Sequence, residues 1–335
     1  MSINIKRWER IELLDINFNY IKKIIKKKFA YEIREISVKD FARNIKAYKN
    51  IDEDILLSLI EKNYYKRLSI LSMKPLKSNP EFPVHEELTN SVFNSEFKRN
   101  NRIGIQCNKE VVGELDDIYK VTYYYEQERF VEIKLAKIIN YSEEINNNGI
   151  HMNKNTNIYD CYNIIIDLSE KIIFMFYNDL PVNNINNGSE YTKKKKAFYE
   201  LFTKATQGNI LSYIISDSLR LYFLEYMEEI ENKDSRKMIS LVETMNLIGS
   251  KKSTRSIAHE FTHDECSINA IKELVIKHNY SISAIECKIN SELVKLKSTG
   301  EINIETGIFD EEVLQSVCEE FIDGNEVYDF CKLRY

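Results

Sequence analysis

Apolar residues recur along this chain in two rhythms. Between residues 4 and 29, Trp8, Ile11, Leu14, Phe18, Ile21 and Ile25 return at steps of three and four, which predicts one amphipathic helix. Tyr31–Ile36 reads as a short strand. Ser37 with Asp40 three residues on reads as an N-cap and capping box. The helix it opens has Val38, Phe41, Ile45 and Tyr48 on its apolar face, and a second runs from about Asp52 to Met73. Further on the step becomes two. Val121–Tyr125 and Phe130–Ile139 predict a hairpin turning at Glu126-Gln127-Glu128-Arg129, with Val131, Ile133 and Leu135 alternating against Glu132 and Lys134. The stretch from Tyr159 to Leu180 is the most apolar of all. Ile164, Ile165, Ile166 and Leu168 are parted from Ile172–Phe176 by Ser169-Glu170-Lys171, which predicts a hairpin of interior strands covered on both faces.

Between these segments lie the breakers. Lys74–Pro83 holds three of the four prolines and reads as a loop or linker, with a helix from Val84 to Arg99 after it. The Asn-rich stretches Glu144–Asn157 and Val182–Thr192 read as polar loops. Residues 193–231 read as helical, with an apolar stripe of Ile210, Ile214, Leu221, Leu224 and Met227 and a break at Gly208. Helices are also expected at about 235–249 and from Ser253 to His278. Three short strands follow, Ile282–Ile289, Leu293–Lys297 and Glu301–Thr306. A last helix is capped by Asp310-Glu311-Glu312, with Val313, Val317 and Phe321 inward. The fold class these elements predict is α+β. A helical region occupies 1–75, a mainly antiparallel sheet with packed helices occupies 84–250, and a small α/β unit occupies 251–335.

Composition narrows this picture. The chain has 335 residues with 43% hydrophobic, enough for a sizeable core. Nine Gly and four Pro are too few for a barrel or sandwich built on many tight turns. The six Cys are scattered without a CxxC pair, and the charged N-terminus lacks the apolar core of a signal peptide, so reduced thiols and a cytoplasmic location are expected. No apolar run reaches membrane-span length, so no membrane partner is expected. The 21 Tyr against one Trp, with abundant Ile, Lys and Asn, match AT-rich bacterial or phage coding, and a phage-defence role is an expectation from composition alone.

Net charge is −5, so any nucleic-acid contact must use a local patch. Two basic segments offer one. Lys22, Lys23, Lys26, Lys27 and Lys28 crowd the end of the first helix, where they also complement its dipole, and Lys193, Lys194, Lys195 and Lys196 form the second.

Two motifs carry metal chemistry. His259-Glu260-Phe261-Thr262-His263 is an HExxH pentapeptide within an expected helix. Two His at i and i+4 share a helix face and can reach one metal, with the intervening Glu placed as general base. On these residues the chain resembles the zinc metallopeptidases called zincins. The resemblance implies zinc held by His259 and His263, with Glu260 as the base. The third ligand is unassigned, and Asp264-Glu265 follow where zincins carry uncharged residues.

The second motif joins Gly113-Glu114-Leu115-Asp116-Asp117 to Val131-Glu132-Ile133-Lys134-Leu135. It resembles the PD-(D/E)xK nuclease core, without the proline before Asp116. The resemblance implies Mg²⁺ on Asp117 and Glu132, with Lys134 activating the attacking water. There is no GxGxxG, P-loop or GxSxG pattern, which argues against the common nucleotide-dependent chemistries.

The leading expectation is therefore a protein that acts through a macromolecular partner, nucleic acid or protein, with no catalysis of its own. The nuclease and the zinc hydrolase are the alternatives, and a metal cofactor, Mg or Zn, belongs only to them.

Overall fold

The computed structural model describes residues 3–13, 16, 18–75, 115, 120–126, 129–147, 150–167, 169–178, 208–231, 242–248, 254–258, 265–277, 281–289, 292–304 and 311–322. The class is α+β, with helices at the N-terminus, a large amount of mainly antiparallel strand and a small C-terminal α/β unit. The chain divides into two compact units. One comprises residues 1–64 and 73–211, and the other 65–72 and 212–335. The N-terminal helices thus share a unit with the central strands.

The expected long first helix is two, α1 (Ile3–Leu13) and α2 (Phe18–Phe29). Asp15 and Asn17 fall between them in sequence, residue types that favour helix ends over interiors. The apolar rhythm still holds, because Trp8, Ile11, Phe18, Ile21 and Ile25 are all buried. Residues 30–36 form no strand. Ala30 closes α2 instead, in the left-handed conformation (φ 54°), its N–H donating to the Lys26 carbonyl at 3.1 Å. Ser37 caps α3 (Val38–Asn44) as its spacing predicts, accepting from the Asp40 N–H at 3.1 Å. A short 3-10 turn (Ile45–Ala47) follows, and then α4 (Glu53–Asn63), capped by Asp52. Helix does not continue to Met73. Arg67–Pro75 is strand β1, drawn into a ladder that pairs Leu68 with Ile302 and so overrides local propensity.

The first unit's sheet runs in the order β2 (Lys120–Glu126), β3 (Phe130–Asn147), β4 (Ile150–Asp167), β5 (Ile172–Tyr177), with antiparallel neighbours. Both expected hairpins are present. The interior reading of the second holds too, since residues 158–167 of β4 and all of β5 are buried. The stretch Glu144–Asn157 is not a loop. Both arms extend as strand, pairing Tyr141 with Thr156, Glu143 with Lys154 and Ile145 with Met152. Its many Asn read as turn residues, but the backbone ladder runs unbroken to the pairing of Asn147 with Ile150, and pairing prevails over propensity. Asp167 ends β4 fully buried. Its carboxylate accepts Arg129 Nη2 at 2.7 Å and the N–H groups of Ser169 and Glu170 at 3.0 and 3.1 Å, which ties the tight β4–β5 turn to the start of β3.

Beyond it come β6 (Gly208–Ser212) and α5 (Ser216–Glu231), both within the stretch read as one helix. The stripe expected there is out of phase. Ile214 and Leu221 are exposed, while Ile215, Leu219, Tyr222 and Phe223 are buried. The remaining elements are β7 (Val242–Ile248), β8 (Thr254–Ala258), α6 (Glu265–Ile276), β9 (Ser281–Ile289), β10 (Glu292–Lys297), β11 (Glu301–Ile304) and α7 (Glu311–Phe321). Two expected helices are thereby corrected. Residues 242–248 are strand, and within the stretch read as helix from Ser253 to His278, residues 254–258 pair as β8 with β7 while Glu265–Ile276 is helix. The three C-terminal strands and the last helix stand as read, with Val313, Val317 and Phe321 buried. In this unit β11, β10, β9, β7 and β8 are successive antiparallel neighbours. The expected helix 84–99, the loop 182–192 and most of the Pro-rich stretch lie outside the described residues. Among the described residues no helix is long and apolar enough to cross a membrane.

Gly300, in the β10–β11 turn, is the one described glycine whose conformation excludes a side chain (φ 77°). A Cβ there would lie 2.5 Å from the Tyr213 carbonyl oxygen and 2.9 Å from that of Ile70. Gly300→Ala is expected to lower stability by about 1–3 kcal/mol in urea unfolding. A loss below about 0.5 kcal/mol would contradict this packing.

Candidate functional site

The N-terminal helices bury one side and charge the other. On α2, Phe18, Ile21 and Ile25 face the bundle core with Ile24 packed beside them, and Lys23, Lys26, Lys27 and Lys28 are exposed while Lys22 is half-buried. The Lys22 ammonium stands 5.1 Å from the Phe18 ring centroid and that of Lys23 5.4 Å from Tyr20. On α3 and the turn after it, Phe41 and Ile45 point inward, packed by Trp8 and Phe18 at ring distances of 5.8 and 6.0 Å. Lys39, Arg43 and Lys46 are therefore exposed, and so are Arg34 and Lys49.

Residues 18–49 contain ten basic and three acidic residues. Each carboxylate already has work inside this segment. Glu32 pairs with Lys26 at 3.0 Å, Asp40 accepts the Ser37 hydroxyl at 2.7 Å, and Glu35 accepts the Tyr48 hydroxyl and the Asn44 amide. What remains toward solvent is strongly positive. Arg34, Lys39, Arg43, Lys46 and Lys49 were not legible as a site from runs of lysine, because they are spaced among apolar positions. The charge count over 18–49 is the signal that finds them.

The ExK residues have a different setting. Lys134 is 5% exposed, its Nζ donating to the Glu61 carbonyl at 3.5 Å and lying 5.5 Å from the Tyr64 ring centroid. Glu132 is on the same sheet face and accepts Asn163 Nδ2 at 2.8 Å. Asn163 is buried, and its Oδ1 has no partner among the described residues. Asp117 lies outside the described residues, so the third member of that constellation is not placed. Likewise His259, Glu260 and His263 fall outside them, between the end of β8 and the start of α6, as do Lys193, Lys194, Lys195 and Lys196. Among the described residues no three His, Cys, Asp or Glu side chains gather closely enough to hold a metal. Cys287 is buried, and burial pushes its thiol up to about 12, against a lesser opposing effect of the Tyr222 hydroxyl, so it stays in the less reactive thiol form.

No known protein-family model matches the chain, and no curated protein is significantly similar to it.

Two outcomes follow from this geometry. Lys134→Ala is expected to cost about 2–4 kcal/mol in denaturant unfolding, through a lost buried donor and a cavity. A lysine serving only a surface reaction would leave stability within about 0.5 kcal/mol. The second concerns pH. Burial alone would raise Glu35, but the Tyr48 hydroxyl, backbone amides and Asn44 outweigh it and hold the carboxyl below its ordinary value. The same contact, then burial, raises the Tyr48 phenol. The Glu35 contribution is present above the ordinary carboxylate range and lost as pH falls through its lowered value, whereas Tyr48's is lost as pH rises through its raised one. Tyr48→Phe should flatten both ends of the stability–pH curve measured by thermal melting. Unchanged slopes would show that the contact does not form.

Proposed function

We propose that the protein acts by binding a nucleic acid through the exposed basic side of α2, α3 and the segment between and after them, with no catalysis of its own. The observation that carries this reading is the local charge excess. Ten basic residues, nine of them exposed, stand with three carboxylates that are each engaged within the same segment, in a chain whose net charge is −5. Phosphates would be drawn to this surface and repelled by the acidic remainder, which gives binding a defined address. The setting of Lys134 supports the part of the reading that omits catalysis. A phosphodiester-cleaving lysine has to meet a phosphate, and this one is buried against a helix carbonyl and an aromatic ring. Backbone contacts of this kind position a partner without reading its sequence.

The test is fluorescence anisotropy on duplex and single-stranded oligonucleotides across a salt series. Affinity should fall log-linearly with salt, and Lys27→Gln, Arg43→Gln and Lys46→Gln should each reduce the slope by about one. Binding that ignores salt, or an absence of binding at low salt, would overturn the proposal.

A further inference from the structure

Ile36 stands out on this surface. It is 88% exposed, well beyond Ile214 at 64% and Leu221 at 61%. It lies between Arg34 and Lys39, both exposed. Its two chain neighbours are anchored. Glu35 is held by the Tyr48 hydroxyl and Asn44, and Ser37 by its capping contacts with Asp40. Fixing both flanks holds the isoleucine out in water as a preorganised apolar prong amid positive charge.

We infer that Ile36 is an apolar contact to the bases of duplex nucleic acid, pressed against or between base pairs at a deformable step while the neighbouring Lys and Arg hold the phosphates. This rests on the nucleic-acid reading above and adds the partner's form, a duplex that can be locally unstacked. Branched apolar side chains serve as such wedges in proteins that bend DNA, and pyrimidine–purine steps yield to them most easily. Charge complementarity selects a polyanion, because the segment's carboxylates are already engaged. Between polyanions, an anionic membrane is disfavoured. The apolar side of α2 (Phe18, Ile21, Ile25) is buried in the bundle core, so α2 leaves no broad apolar face to enter a lipid interface.

The experiment uses the full chain, with wild type, Ile36→Ser, Ile36→Leu and the Lys27→Gln/Arg43→Gln/Lys46→Gln triple variant. Anisotropy is read on one duplex with a central TA step, one with a central A-tract, and phosphatidylserine vesicles. Ile36→Ser should lose about tenfold in affinity for the TA duplex, lose the preference over the A-tract and keep the wild-type salt slope. Ile36→Leu should retain most of the binding. The triple variant should instead lower the slope with both duplexes. Equal binding by wild type and Ile36→Ser would overturn the wedge and leave the basic interface standing. A wild type that binds no duplex overturns both, as does Ile36-dependent binding to vesicles alone.

Discussion

The first unit depends on a buried ion pair between the first and last helices of its bundle. Arg7 lays its guanidinium on Glu61, with Nε to Oε1 at 3.0 Å and Nη2 to Oε2 at 2.7 Å, and both side chains are almost wholly buried. Ser58 and Asp54 take further guanidinium hydrogens, and Trp8 donates to Glu53 at 2.8 Å. Two-point pairing fixes the angle of α1 on α4 in a way that apolar packing alone would not. Removing one partner of such a pair typically costs about 3–5 kcal/mol, since the other is left charged and buried. The helix that Arg7 clamps then turns its C-terminal end on the sheet. The Glu61 carbonyl meets Lys134, the Tyr64 hydroxyl meets the Cys161 thiol, and the Tyr64 carbonyl accepts Asn178 at 3.2 Å. A lysine ammonium at a helix C-terminus also sits well in the helix field. Bundle and sheet are therefore joined by polar contacts that demand one geometry.

This arrangement lets the outer side of the bundle carry so much charge. Ten basic residues in a short segment repel one another, and the cost is met by a core of Trp8, Phe41, Ile21, Ile25, Leu56, Leu57 and Ile60 beneath them. On the proposed reading, this packed core fixes the surface before a partner binds. Preorganisation of this kind reduces the ordering cost of binding.

Much of the fold was legible in the sequence, and the failures share a cause. Elements whose signal is local came through: the Ser37 cap, the helix spacing of Phe18, Ile21 and Ile25, the apolar hairpin at 164–176 and the three short C-terminal strands. Elements that exist only through pairing did not. Residues 242–248 and 254–258 are strands because each lies beside the other, and Asn-rich residues 144–147 and 150–157 because each arm gives the other its ladder. Local propensity does not report pairing, whether the partner is the next strand or, as for β7 on β9, some forty residues away. The site was half legible for the same reason. Consecutive lysines on α2 announce themselves, whereas Lys39, Arg43 and Lys46 stand singly opposite the apolar face of Phe41 and Ile45, and only the charge count over residues 18–49 gathers them. For Lys134, period two fixes which face it shares with Glu132, while the burial of that face under a helix end depends on Glu61 and Tyr64, some seventy residues away in sequence.

The most direct measurement is amide hydrogen exchange on the full chain, with and without duplex DNA at low salt. Protection gained on binding should concentrate in residues 18–49 and disappear when salt is raised, with α4 and β3 unchanged. Protection confined to other segments, or none while binding is saturated, would contradict the account.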